Sequence, residues 1–380
     1  MMGLGLEPVI TSTTDVGDGI QEEILGPAAF VALLKTCTKK KDFCTGTRIH
    51  ADIVKTGLLE TNVYVGSTLV NMYAKCGKLA KAQEVFDELP VRNTVSWTAL
   101  IAGYAQHGQG EKALKCFEQM KLDGLSPDAV TLVCMLRACG NVGSTDMGHE
   151  IYAYILKEGL LGKNLWVGNA LVDMYAKCGA MSKAQEVFDK LQLRDVVSWN
   201  VLIAGYADKG HGEETMKYFE VMQDQGVLPD HLTYICGLKA CGSLGVICKG
   251  QEIHLEIVKK GLEIENLIGS ILVYMYAKCH ALVEAQDVFD KLPTQDLVSW
   301  TALVRGYVEH GYGQKAFDCL EKLQSMGVLL DSVAIICNLK ACNITNARSK
   351  GQGVHAEIIK KGLVESDTLI GSSLVEMYCR

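Results

Sequence analysis

The sequence predicts an all-α chain, a solenoid in which short antiparallel helical hairpins stack one on the next. Three observations carry this reading. The string Met-Tyr-Ala-Lys-Cys stands at 72–76, 174–178 and 275–279, and a broken copy ends the chain at Met377-Tyr378-Cys379-Arg380, so the tyrosines lie 102, 101 and 102 residues apart. Val-Ser-Trp recurs at 95–97, 197–199 and 298–300. Cys37, Cys139, Cys241 and Cys342 keep the same beat. Self-similarity at a fixed period marks a stack of equivalent units, and it outranks the separate globular domains that 380 residues would otherwise suggest.

From Pro27 onward each block of about 101 residues divides into three hairpins. The long type, seen from Ala129, pairs an apolar-periodic helix over Val130–Cys139 with a helix that ends at Lys157-Glu158-Gly159; the turn between them falls at Gly140–Gly143. Gly159 fits the left-handed residue that closes a helix, and Gly57, Gly261 and Gly362 hold equivalent places. The short type, Leu165–Asp195, is helical through Tyr175, stops at Gly179 and resumes over Ser182–Leu191. The third type, Val196–Asp230, closes its second helix at Gly226 and turns at Pro229-Asp230; Pro127-Asp128 is an earlier copy, and Leu330-Asp331 lacks the proline. Helices of roughly 10 to 14 residues are marginal alone in water, so stability must come from stacking, with first helices on a concave wall and second helices outside. About ten hairpins are expected over 27–380, the last (368–380) incomplete, as in a fragment of a longer protein or an end covered by a partner.

Composition removes several function classes. No apolar run reaches the roughly 18 residues of a membrane span. Residues 1–26 hold Glu7, Asp15, Asp18, Glu22 and Glu23 with no lysine or arginine, which fits a loosely ordered acidic leader or a worn repeat and neither a transit peptide nor a secretory signal. Fifteen cysteines form no C-x-x-C pair and many recur once per repeat, so they read as packed thiols of a reducing intracellular compartment. His-x-Glu at His254 and His355 lacks the downstream P-C-x-x-C of a zinc deaminase, so no catalytic or metal-binding residue is assigned. Trp97, Trp199 and Trp300 read as core anchors, and Lys39-Lys40-Lys41 as a solvated turn between helices.

Hairpins of 31, 35 and 35 or 36 residues in strict rotation, carrying Val-Ser-Trp-Asn/Thr-x-Leu-Ile/Val, Met-Tyr-Ala-Lys-Cys and Gly-x-Glu-Ile-His, resemble the plant pentatricopeptide repeat family and, within it, the PLS subclass without a C-terminal deaminase extension. The tetratricopeptide repeat, with its period of about 34 and its W-x-x-L-G-x-x-Y pattern, fits these lengths less well. The resemblance covers residues 27 to 380 and implies a right-handed superhelix that binds single-stranded RNA, one base per hairpin. It assigns the reading to the fifth residue of each first helix and the last residue of the repeat, whose donors and acceptors match a Watson–Crick edge.

On that scheme Ser67 with Asn93 resembles the adenine pair and Thr98 with Asp128 the guanine pair. Asn169 with Asp195 and Asn200 with Asp230 resemble uracil pairs, and Ser270 with Asp296 and Thr301 with Asp331 guanine pairs. The long repeats carry Val31, Val133, Ile235 and Ile336 at the fifth position and are silent, so the implied target is 5′-AGnUUnGGn-3′. The resemblance further implies base packing by the second residues Tyr64, Val95, Trp166, Val197, Leu267 and Val298, and phosphate contact by Lys75, Lys177 and Lys278 two helical turns beyond the readers. It implies no cofactor, an organelle setting in mitochondrion or chloroplast, and a role as an adaptor in C-to-U editing or RNA processing, with a deaminase or editing partner protein supplied in trans.

The net charge of −7 and pI near 5.8 require any phosphate-binding stripe to be locally basic, with acids such as Glu84 and Asp87 on outer helices. A protein-interaction scaffold is the rival class. The sorting of polar and aliphatic fifth residues, with Asp or Asn at the repeat ends, separates the two, because a peptide groove would not require it.

Overall fold

The computed structural model describes residues 25–262, 265–328, 330–360, 362–363 and 367–379. All but the last two residues of the acidic leader expected over 1–26 lie outside these. The described residues form helices and no strands. The protein is an α-solenoid of helical hairpins whose chain falls into two compact units, divided between Thr131 and Leu132.

The first unit contains α1 (Pro27–Lys40), α2 (Phe43–Lys55), α3 (Leu58–Thr61), α4 (Val63–Lys75), α5 (Leu79–Glu88), α6 (Thr94–Gln106) and α7 (Gly110–Leu122). The division falls inside α8 (Ala129–Val142). The second unit continues with α9 (Thr145–Lys157), α10 (Leu165–Lys177), α11 (Met181–Asp189), α12 (Val196–Asp208), α13 (Gly212–Asp224), α14 (His231–Leu244) and α15 (Ile247–Lys259). It closes with α16 (Asn266–Lys278), α17 (Leu282–Lys291), α18 (Leu297–Glu309), α19 (Gly313–Ser325), α20 (Ser332–Thr345), α21 (Arg348–Lys360) and α22 (Thr368–Cys379).

Short polar side chains start these helices and glycines end them. Asn62, Asn93, Asn164, Asp195, Asp230, Asp296 and Asp331 each accept a hydrogen bond from a backbone N–H of the first turn that follows, groups that would otherwise have no partner. Gly57, Gly159, Gly226, Gly261 and Gly362 have φ between 62° and 75°, the left-handed conformation the sequence requires of them.

Packing runs from first helix to first helix. In the first unit α4 lies against α1 and α6; in the second, α10, α12, α14, α16, α18, α20 and α22 contact one another in succession, and α11, α13, α15, α17, α19 and α21 each pack on their own partner and on the next first helix. The tryptophans seal each join. Trp97, Trp199 and Trp300 are buried and meet Phe86, Phe188 and Phe289 edge-on at 4.5, 4.8 and 4.6 Å. Where α12 crosses α10, a Cβ on Gly205 would come 2.8 Å from the Cβ of Ala176, so only glycine allows the two backbones to close.

Two boundaries differ from the sequence reading. Gly140 lies inside α8, where its missing side chain admits Met174 and Lys177 of α10; the turn is made by Gly143, at φ 78°. Lys39 and Lys40 belong to the last turn of α1, where lysines complement the helix dipole, and Lys41 alone forms the turn at φ 53°. The cysteines are free thiols. Burial pushes Cys139 and Cys241 up to about 12.

Candidate nucleic-acid interface

The last residue of a short or 35-residue repeat does two things at once. It caps the next first helix, and its side chain comes to rest beside the fifth residue of the helix before. At Asp230 both are visible. Oδ1 accepts from the Thr233 backbone at 3.1 Å, and the amide nitrogen of Asn200 lies 2.9 Å from each carboxylate oxygen. The Asn200 carbonyl in turn accepts from the Thr233 hydroxyl at 2.6 Å. Partial burial pushes the Asp230 carboxyl up, but the bonds from the Thr233 backbone and the Asn200 amide outweigh it and hold the group below the usual carboxylate range.

The other pairs are variants of this arrangement. At Asp195, burial is likewise outweighed by the Ser198 backbone and hydroxyl, both 2.8 Å away, and by the Asn169 amide, so its carboxyl is also held low. The Asn169 carbonyl has no partner among the described residues. Thr98 Oγ1 lies 2.6 Å from Thr131 Oγ1, which reaches Asp128 at 2.8 Å. Ser67 and Ser270 donate to their own helices at Val63 and Asn266, and their hydroxyls stand 3.4 Å from Asn93 and Asp296. Thr301 turns its hydroxyl to the Leu297 carbonyl at 2.6 Å while Asp331 caps α20; among the described residues no hydrogen bond joins these two.

The sequence reading expected the fifth residues on a surface, yet Ser67, Thr98, Asn169, Asn200 and Ser270 are each at most 9% exposed. They sit one turn into the first helix, on the flank packed against the next first helix, where their polar atoms are met by its cap. The last residues Asp128, Asp195, Asp230, Asp296 and Asp331 are exposed, and Asn93 is half-buried.

Beside each pair stands an apolar side chain in solvent. Tyr64, Val95, Trp166, Val197, Leu267 and Val298 are between 53% and 75% exposed. The long repeats extend the row with Val130, Leu232 and Val333, which sequence reasoning passed over because their fifth residues are aliphatic. A cavity of about 400 Å³ is lined by Val197, Asn200, Asp230 and Leu232, and also by Lys177 and Lys209.

The lysines expected at phosphates are already engaged. Lys75 bonds Gln106 at 2.8 Å, Lys177 pairs with Asp173 at 2.7 Å, and Lys278 pairs with Glu309 at 2.8 Å. Two of the three are therefore neutralised in the free protein and must exchange a carboxylate for a phosphate to serve. His50, His254 and His355 each bond a tyrosine hydroxyl through Nδ1, and the described residues contain no group of three or more candidate metal ligands. No helix among them is long and apolar enough to cross a membrane.

Residues 92–141 and 194–243 match the PPR repeat family, and residues 67–93, 169–196 and 298–328 match the PPR repeat. A chloroplastic pentatricopeptide repeat-containing protein of Arabidopsis thaliana is 35% identical over 351 residues, which is 92% of this chain and 56% of that protein. Two mitochondrial ones from the same plant are 36% identical over 333 residues (88% and 32%) and 37% identical over 304 residues (80% and 48%). The chain thus spans between 32% and 56% of the length of these relatives. Among solved structures, the pentatricopeptide repeat protein PPR10 in complex with an 18-nt psaJ RNA element superposes with a TM-score of 0.70 at 18% identity, over 87% of this chain and 50% of that one, a likeness of fold.

Proposed function

The chain belongs to the PPR repeat family, and from that premise we propose that it binds single-stranded RNA sequence-specifically, one base to each short or 35-residue repeat. The observation that carries this reading is the Asn200–Asp230 pair, whose amide and carboxylate line a cavity together with the apolar Val197 and Leu232. A base needs both kinds of contact: hydrogen-bonding groups for its edge and apolar side chains for its faces. The PPR10 complex, a structure with RNA on the same fold, supports the reading at the level of the family.

In finer detail the chain is read as a PLS-type array with the target 5′-AGnUUnGGn-3′. Ser67/Asn93 takes adenine; Thr98/Asp128, Ser270/Asp296 and Thr301/Asp331 take guanine; Asn169/Asp195 and Asn200/Asp230 take uracil. Its role is that of an adaptor that places a deaminase, acting in trans, on an organelle transcript for C-to-U editing. The chloroplastic and mitochondrial relatives support the organelle setting.

The test is binding of the purified chain to a labelled RNA carrying this sequence, against one with each G exchanged for A, across a salt series. Preference for the first is expected, moving toward the second when Asp128 and Asp331 become Asn. Equal, negligible binding of both RNAs at low salt would overturn the reading in favour of a protein-interaction scaffold.

A further inference from the structure

The third residue of each long repeat stands where the code places no reader. Thr233 is fully buried, three residues past Asp230, and its hydroxyl lies 2.6 Å from the Asn200 carbonyl and 3.0 Å from Asp230 Oδ1. Thr131 repeats the arrangement: its hydroxyl lies 2.6 Å from that of Thr98 and 2.8 Å from Asp128 Oδ1. In both cases a residue of a supposedly silent repeat closes a three-way hydrogen-bonded cluster with the two readers of the repeat before it.

The same position elsewhere does not do this. Ser96 and Ser299 donate to the carbonyls of Asn93 and Asp296, and Ser198 to the Asp195 carboxylate; among the described residues none of the three bonds Ser67, Asn169 or Ser270. The third long repeat has Ala334, which carries no hydroxyl, and there Thr301 bonds back to its own helix. Readers of identical type therefore exist in two states. Asn200 has both ends of its amide held, nitrogen on Asp230 and oxygen on Thr233, while the Asn169 carbonyl has no partner among the described residues.

Resting on the RNA-binding reading above, we infer that Thr131 and Thr233 are positioning residues that set how strictly the preceding repeat discriminates its base. The physical ground is orientation. Turning the Asn200 amide over would bring its carbonyl against a carboxylate and also forfeit the bond from Thr233, whereas turning Asn169 forfeits no second bond. An amide fixed at both ends offers one pattern of donor and acceptor to the base edge, and cytosine and uracil present opposite patterns there. The hydroxyl of Thr98 is likewise directed by Thr131, and that of Thr301, among the described residues, by its own helix alone. The long repeats thus take part in recognition through their third residues while their fifth residues read nothing.

The inference is tested with the full chain and four RNAs: 5′-AGnUUnGGn-3′ and versions with C in place of the first U, the second U or both. The unmodified chain should prefer U over C more strongly at the second U, read by Asn200, than at the first, read by Asn169. Thr233→Ala should lower the preference at the second U about fivefold, the scale of one hydrogen bond, and leave the first unchanged, while Thr233→Ser should restore it. A global loss of helix stability would weaken all four RNAs alike and leave the ratios unmoved, and Thr131→Ala, assayed with a fifth RNA that carries A in place of the first G, offers an independent check through G-over-A preference at that base. If the unmodified chain distinguishes U from C and neither alanine variant alters its ratio, the inference falls and the code stands. If it distinguishes no bases at either site, the code reading itself falls and takes the inference with it.

Discussion

His254 Nδ1 lies 2.8 Å from the phenolic oxygen of Tyr276, and His50 meets Tyr73 in the same way at 2.9 Å. In the intervening block the histidine's place is taken by Tyr152, and the hydroxyl of Tyr175 is buried with no partner among the described residues. Burial pushes that hydroxyl up to about 12. Removing an unpaired buried hydroxyl and removing a paired one have different consequences. Tyr175→Phe should leave stability unchanged or slightly raised, whereas Tyr276→Phe should lower it by about 1 kcal/mol, as read from urea midpoints.

Glu309 holds two cations, Lys278 at 2.8 Å and Arg305 at 2.8 Å. Glu309→Gln recreates the arrangement that nature has at Lys75 and Gln106, in which the lysine keeps a hydrogen bond but not a counter-charge. RNA should then bind more tightly at low salt. The slope of log K against log salt should steepen by about 0.7, the value for one additional phosphate contact on a single strand. An unchanged slope would show that Lys278 meets no phosphate.

The carboxyls of Asp195 and Asp230 are held low by the caps they form, after burial has been outweighed. The unfolded chain therefore takes up protons at these groups before the folded chain does as pH falls. Their contribution is complete above the ordinary carboxylate range and is lost as pH descends through their depressed values. Comparing urea midpoints at about pH 7 and about pH 3, the Asp195→Asn, Asp230→Asn variant should lose less stability on acidification than the unmodified chain, because a carboxamide still caps a helix and does not titrate.

Local features were legible in the sequence. Each glycine assigned to a helix end from spacing has positive φ, and the three tryptophans of the Val-Ser-Trp strings are buried, because a repeated local signal is averaged over several copies. Relations between helices were less legible. Gly140 looked like a turn residue until α10 was placed against it, and the engagement of Lys278 with Glu309 depends on two helices 31 residues apart in sequence. The burial of the fifth residues has the same origin, since the neighbour that covers them lies in the next repeat. Thr131 and Thr233 did carry a signal: a hydroxyl three residues after an aspartate is the spacing of a capping box, and it would have placed both beside the readers.

Asp195, Asp230 and Asn93 each start the helix that follows them. The residues that do this well form a short set of Asn, Asp, Ser and Thr, with Asn and Asp nearly equal. Codons for Asn and Asp differ by a single nucleotide. Under the proposed reading, one point mutation at such a position would therefore change which transcript is chosen while the helix beneath stays in place. Retargeting need not pass through an unstable ancestor, and a lineage of such proteins can explore new RNA sites by drift.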